Sequence, residues 1–344
     1  MKPVAAITGR TDFARTLIVC AALLLLLLAA FLGASIIGSQ RLPFAGSLCA
    51  LTGNSNCALS AEERAILFDI RLPRIALAGA VGMCLAAAGA AYQALLRNPL
   101  AEPYLLGVSN GAAVGTMAAL VFFTAYEWSR PVMAFAGALA ATFVVYRLAR
   151  GRAGATPERL ILAGVIVTTF LSSAIVFITT VMDATRIRSF TFWLLGDLSG
   201  TTGNLLTVAL VTAIAGAVLL TLNARSLNLM MLGERDAFDL GVEVARVRLI
   251  VFAAASLLVG ASVASSGSVG YVGLVVPHLV RLSFGSDNRL VIPAAAIAGA
   301  TFVIIADTLA RTLIAPRELP VGAITALIGA PLFVYLLRRG TSSV

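Results

Sequence analysis

Apolar residues run along this chain in long, nearly unbroken stretches, without the alternation that marks half-buried strands or the single stripe of a surface helix. The first covers about Leu17 to Ile37, and further stretches follow at roughly 74–95, 104–124, 131–148, 159–181, 202–222, 247–265, 270–283, 291–310 and 321–337. Most approach the about 20 residues a helix needs to cross a hydrocarbon core about 30 Å thick. The pattern predicts an all-α polytopic membrane protein of about ten transmembrane helices, forming a single domain over residues 16–337. Residues 1–15 and 338–344 are short terminal segments, and an even number of spans puts them on the same side. The first stretch follows Lys2, Arg10 and Arg15, as a signal peptide would. It exceeds the usual apolar core of about 7–15 residues and lacks a small-residue cleavage site, so it reads as a retained span.

Composition agrees with lipid as the solvent: 60% of the 344 residues are hydrophobic, 12% are charged, and the mean hydropathy is +0.98. A formal charge of +9 would raise nucleic acid as a partner of a soluble protein. Here the arginines lie between apolar stretches and form no patch, which excludes that class. Cytoplasmic connections carry the excess of cations in membrane proteins. Lys2, Arg10, Arg15, Arg97, Arg147, Arg150, Arg152, Arg159, Arg225, Arg235, Arg246, Arg248, Arg281, Arg289, Arg338 and Arg339 all fall on one side, which places both termini in the cytoplasm. Arg41, Arg64, Arg71, Arg74, Arg130, Arg186, Arg188, Arg311 and Arg317 fall on the other and call for a separate reason. Four cysteines without paired close spacing and the single histidine His278 give no protein-held metal centre, and no cofactor is expected in the chain.

The longest polar connection, Ser39 to Arg74, holds Cys49 and Cys57 eight positions apart and a Ser60-x-x-Glu63 pattern with the form of a capping box. An oxidising exterior would allow a Cys49–Cys57 disulfide, and two unpaired thiols in a loop are equally compatible with the spacing.

Two regions interrupt apolar stretches with residues that end or kink helices. They are Asn98–Pro99 followed by Pro103, and the glycine-rich segment Gly267–Gly270–Gly273 followed by Pro277. Interrupted helices mark the substrate path in many transporters, so Asn98, Pro99, Gly270, Gly273 and Pro277 are candidate path residues or structural breaks. Most of the other glycines in the spans serve close helix packing.

Acids at membrane depth mark ion coupling, and Asp307 is the main candidate. Arg311 lies four positions on, so an ion pair that fixes the ninth span competes with a proton relay. A phosphate-binding loop needs a lysine beside its glycines, and the only lysine is Lys2, so ATP would have to be used by another subunit. The connection Asn223 to Arg248 is suited to receive one: Met231, Leu232, Phe238 and Leu240 alternate with Glu234, Asp236 and Asp239 between breaks at Gly233 and Gly241. An amphipathic segment resting on lipid is the competing reading.

These residues resemble the FecCD family of importer permeases. The matching motifs are Arg71-Leu-Pro-Arg74, Gln93-Ala-Leu-Leu-Arg-Asn-Pro-Leu-Ala-Glu-Pro103, Leu106-Gly-Val-Ser-Asn-Gly111, Gly233-Glu-Arg-Asp-Ala-Phe-Asp-Leu-Gly241, Gly273-Leu-Val-Val-Pro-His278, Ala306-Asp307, Glu318-Leu-Pro-Val-Gly322 and Gly329-Ala-Pro331. The resemblance implies the architecture of a type II ABC importer permease in the bacterial inner membrane, for a ferric siderophore, haem or cobalamin. It implies a second copy of the chain, two ATPase subunits that bind ATP and Mg, and a solute-binding protein outside. It further implies that Arg71, Arg74 and Arg311 dock that binding protein, and that Gly233, Glu234, Ala237, Leu240 and Gly241 couple to the ATPase. Trp193-Leu-Leu-Gly-Asp-Leu198, with Arg186 and Arg188, is expected near the outer mouth. A self-sufficient ion-coupled carrier and a membrane-embedded enzyme are the competing classes; the latter has only His278 beside Pro277 to start from.

Overall fold

The computed structural model describes residues 13–38, 40, 42–52, 57–123, 126, 128–151, 154–200 and 202–340. Lys2, Arg10, Arg41 and Arg152 of the charge assignment, with residues 1–12 and 341–344 of the predicted terminal segments, lie outside the described residues. The chain opens with α1 (Phe13–Ile36), then a small cap of α2 (Phe44–Leu51) and α3 (Ala61–Ala65). A π turn, Ile66–Arg71, leads from α3 into α4 (Leu72–Leu95), and a 3-10 turn, Pro103–Leu106, leads into α5 (Val108–Phe122). There follow α6 (Ser129–Ala149), α7 (Pro157–Val181), α8 (Ala184–Leu194), α9 (Gly203–Leu222), α10 (Ala224–Leu232) and α11 (Glu234–Asp239). The chain closes with α12 (Val244–Ser266), α13 (Val272–Phe284), α14 (Asn288–Thr312) and α15 (Val321–Gly340).

Apolar helices occupy all ten predicted stretches: seven are long enough to cross a bilayer, and Val108–Phe122, Val272–Phe284 and Val321–Leu336 are shorter. Helices are the form these stretches must take, because lipid offers no partner to a backbone amide or carbonyl. Among the described residues the only strand pairing is a two-residue ladder, Arg150–Gly151 against Gly154–Ala155, in the connection between α6 and α7. It lies in a polar turn, where backbone groups can pair without entering the membrane, and the fold remains all-α.

α4 is the central post. Its side chains are buried on every face from Leu85 to Leu95, and it packs against α14, α12, α9 and α13. Small residues allow this. A Cβ on Gly82 would overlap the Gly299 carbonyl of α14, and one on Gly89 would overlap the Gly273 carbonyl of α13. With no hydrophobic drive between helices in lipid, such backbone contact supplies the van der Waals energy that holds the bundle. α1, by contrast, exposes Leu17, Leu24, Leu25, Leu26 and Leu28, as a helix on the lipid rim does.

The contacts sort the connections into two ends. Arg15 at the start of α1 donates to Phe284 O at the end of α13, and Asn228 of α10 donates to Asp287 at the start of α14. At the other end Arg71 meets the last carbonyls of α1, and Arg74 meets the end of α14. Of the cations that charge bias assigns to one side, Arg15, Arg97, Arg248 and Arg281 thus share one end of the bundle with α10 and α11.

The cap carries a Cys49–Cys57 disulfide, with Cα atoms 5.7 Å apart. Ser60 Oγ accepts from Glu63 N at 3.1 Å while Glu63 Oε2 accepts from Ser60 N at 2.8 Å, a complete capping box that starts α3. Leu42, Ala50 and Leu67 form a small apolar core beneath it.

Candidate functional site

At the end of the bundle away from α10 and α11, three arginines line one depression together with Gln40, Ile66, Ile70 and Glu318. The sequence presents Arg71, Arg74 and Arg311 as cations offered outward; the structure buries them, at 4%, 8% and 4% exposure, and gives each an internal partner. Arg71 follows the π turn and points back to α1, where Nη1 donates to Ser35 O and Ile36 O at 3.0 and 3.1 Å and Nη2 to Gln40 O at 2.9 Å. It therefore caps the carbonyls that the end of a helix leaves without amides. Arg74, three residues on, donates to Asp307 at 3.0 Å and to Glu318 at 2.6 Å. Arg311 donates to the second oxygen of Asp307 at 2.9 Å, the expected i,i+4 pair. Desolvation accounts for these partners: a guanidinium removed from water must be paired, or its burial would cost several kcal/mol. Asp307, at 0% exposure, sits between Arg74 and Arg311 and is saturated by them, an arrangement that favours the structural pair over a proton relay.

Sequence reasoning missed the partnership of Arg74 with Asp307 and Glu318, which lie 233 and 244 positions away. The only signal was that all three occur in the motifs quoted above. Beside the depression, Arg74 and Glu318 also wall a second, polar cavity with Gly196, Asp197 and Ser199. This places the Trp193–Leu198 segment at the same end of the bundle as the arginines, where Val321 N and Gly322 N donate to Gly196 O and Leu195 O.

The two predicted breaks meet. Asn98 turns the chain after α4, its Oδ1 accepting from Leu100 N at 2.9 Å, while Pro99 lies exposed. The 3-10 turn beyond brings Tyr104 to the second break, where its hydroxyl donates to Val269 O and accepts from Val269 N, both at 3.0 Å. Glu102 accepts from Tyr271 N at 3.3 Å, and Ser109 donates to Ser268 at 3.2 Å. Gly270 lies in this connection between α12 and α13, and a Cβ there would meet open space. Gly273 begins α13 against Pro103 and the Leu85 carbonyl. Pro277 is a correction: it sits buried inside a continuous α13 and breaks nothing. A side chain from α4 replaces the amide it lacks.

At the opposite end of the bundle α10 and α11 meet at Gly233, whose φ of +156° and extended ψ suit glycine, and α11 closes at Gly241 with φ +84°. Leu232, Phe238 and Leu240 are exposed at 70%, 71% and 62%. Ala237, also in the expected coupling set, is 0% exposed, with its face turned onto the bundle. In a helix of six residues one side must pack inward, and the smallest residue takes that side. Glu234 pairs with Arg248 of α12, whose side chain is 5% exposed, and lies 4.0 Å from Arg97 in the turn after α4. Among the described residues no cluster of histidine, cysteine or acidic side chains fits a metal ion.

A model of the FecCD transport family matches residues 23–339. The chain is 41% identical over 300 residues to the cobalamin import system permease protein BtuC of Halobacterium salinarum, covering 87% of this chain and 80% of that protein. It is 42% identical over 279 residues to the hemin transport system permease protein HmuU of Yersinia pestis, covering 80% and 83%. Among solved structures it is similar to one described as an inward-facing ABC transporter of metal-chelate type, with a TM-score of 0.83 and 30% identity over 93% of this chain and 99% of that one. PsaBC from Streptococcus pneumoniae shares the fold at a TM-score of 0.54 and 16% identity, covering 77% and 90%.

Proposed function

The chain belongs to the FecCD transport family, and from that premise we propose that it is the transmembrane permease subunit of an ATP-driven importer, translocating a metal chelate of the cobalamin, haem or ferric siderophore class. The observation that carries the reading is the unpartnered apolar face of the α10–α11 segment at the inner end. Leu232, Phe238 and Leu240 stand exposed there beside acids and arginines, a surface fit for a groove in a partner. The partner is an ATPase subunit, which binds ATP and Mg, since this chain has no lysine to serve a phosphate loop. No bond of the cargo is made or broken here, and no group in the chain is assigned a catalytic step.

The working unit is two copies of this chain with two ATPase subunits and one solute-binding protein. It lies in the bacterial cytoplasmic membrane with both termini inside, as the shared end of Arg15, α10 and α11 supports. The solute-binding protein docks outside on the depression lined by Arg71, Arg74 and Arg311, with carboxylates from its lobes as the matching groups. The breaks joined by Tyr104 and Val269 stand beside the path. ATP binding and docking shift the dimer between outward- and inward-open states through their differential affinity for the two.

The test is uptake in proteoliposomes holding this chain, its cognate ATPase and its binding protein, offered labelled cobalamin, haem and a ferric siderophore in turn. ATP-dependent accumulation of one chelate is expected. Uptake without the ATPase would overturn the reading in favour of an ion-coupled carrier.

A further inference from the structure

Arg74 holds two carboxylates, and only one of them can leave. Asp307 is 1% exposed at its side chain and shared with Arg311, so it is fixed from both sides. Glu318 is 41% exposed at its side chain and reaches Arg74 Nη1 at 2.6 Å from the connection between α14 and α15, which is not helical at that point. The backbone around it is anchored independently, Leu319 N donating to Ala310 O and Val321 N to Gly196 O. Its side chain can therefore turn away without costing a backbone hydrogen bond.

The cavities give it a place to go. Glu318 and Arg74 together wall off the arginine-lined depression from the polar cavity at Gly196–Ser199, so each is reached from both. Charge gives a reason to move. Arg74 and Arg311 share the carboxylates of Asp307 and Glu318, while Arg71, which lines the same depression, donates to the carbonyls of Ser35, Ile36 and Gln40; its charge draws a further acid toward the depression.

We propose that Glu318 holds the place of a partner's carboxylate on Arg74. An acidic group on the docking protein takes Arg74 Nη1, and Glu318 swings into the adjoining cavity. Glu318 is then a specificity-determining residue of the outer surface: it lowers the resting affinity and admits only partners whose acid displaces it. The inference rests on the docking role given above to the arginines.

The experiment measures the Kd of the assembled complex, permease with its ATPase subunits in nanodiscs, for ligand-loaded solute-binding protein. Glu318→Gln removes the competitor and should tighten binding about threefold to fivefold, the range of a half-exposed ion pair. A residue with only a structural role would weaken docking when changed, so the sign discriminates. Asp197→Asn, in the neighbouring cavity, controls for a general loss of negative charge, and an equal gain there would overturn the proposal. In an Arg74→Lys background, or Arg74→Gln where that variant assembles, the gain from Glu318→Gln should vanish. If neither Arg74→Lys nor Arg311→Lys weakens binding, the docking reading itself fails. If they do weaken it and Glu318→Gln brings no gain, docking stands and displacement fails. A melting curve of each complex separates misassembly from lost affinity.

Discussion

The side-chain amide of Gln93, on α4, donates to the Gly273 carbonyl of α13 at 3.4 Å and to the adjoining Leu274 carbonyl at 3.2 Å. Gly273 lies four positions before Pro277, so its carbonyl is the one whose helical donor the proline ring removes. A buried polar group on the central helix thus lets a proline sit inside a neighbour. Replacing Gln93 by Leu should leave that carbonyl unpaired and cost about 1–3 kcal/mol, read as a lowered unfolding midpoint of the purified chain in detergent. Pro277→Ala restores the missing amide and should recover part of the loss. No recovery would mean that Gln93 acts by packing alone.

Asp307 between Arg74 and Arg311 supports a second expectation. Asp307→Leu leaves the buried Arg311 without its carboxylate and Arg74 with Glu318 alone, and should destabilise by about 3–5 kcal/mol, with poor recovery of folded protein. A proton-coupling role would instead leave the fold intact and abolish transport, so melting and uptake measured together separate the two.

Leu240 and Ala237 should behave differently although three positions apart. Leu240→Asp alters an exposed side chain and should leave the fold intact while weakening ATPase association by about 2 kcal/mol, roughly thirtyfold. Ala237→Trp forces bulk into a fully buried site and should unseat α11 itself. Co-purification of the ATPase with each variant, alongside its melting curve, checks both.

The pair of Glu234 and Arg248 predicts rescue. Glu234→Arg and Arg248→Glu should each impair ATP-coupled uptake, since either leaves a charge without its counterpart where α11 meets α12. The double exchange should restore it in part. Equal loss in all three variants would remove the pair from coupling.

The disulfide reports orientation. In right-side-out vesicles, a membrane-impermeant thiol reagent should label Cys49 and Cys57 only after reduction, whereas buried Cys84 should stay unlabelled. Labelling confined to inside-out vesicles would reverse the assigned topology.

The ten spans were legible because the cost of an unpaired backbone in lipid depends on local composition alone: twenty apolar residues suffice, whatever surrounds them. The capping box at Ser60 and the Asp307–Arg311 pair were legible for the same reason, since their partners lie three and four positions apart. The α10–α11 segment could be singled out by its alternation of apolar and acidic residues, though not which face it presents. Pro277 was misread because a proline ends a helix only where no other donor reaches the carbonyl it orphans, and Gln93 is 184 positions away.

What the sequence by itself determined is therefore the class of molecule, its spans and the residues that stand out against lipid. Only the tertiary structure decided how those residues are used. It turned Ala237 inward, joined the breaks through Tyr104 and Val269, and surrounded Arg71, Arg74 and Arg311 with carbonyls and acids from α1, α14 and the connection after it. The physical reason is that a buried charge or orphaned carbonyl must find a partner somewhere in the fold, and nothing local in a sequence says which distant group the packing will bring within 3 Å.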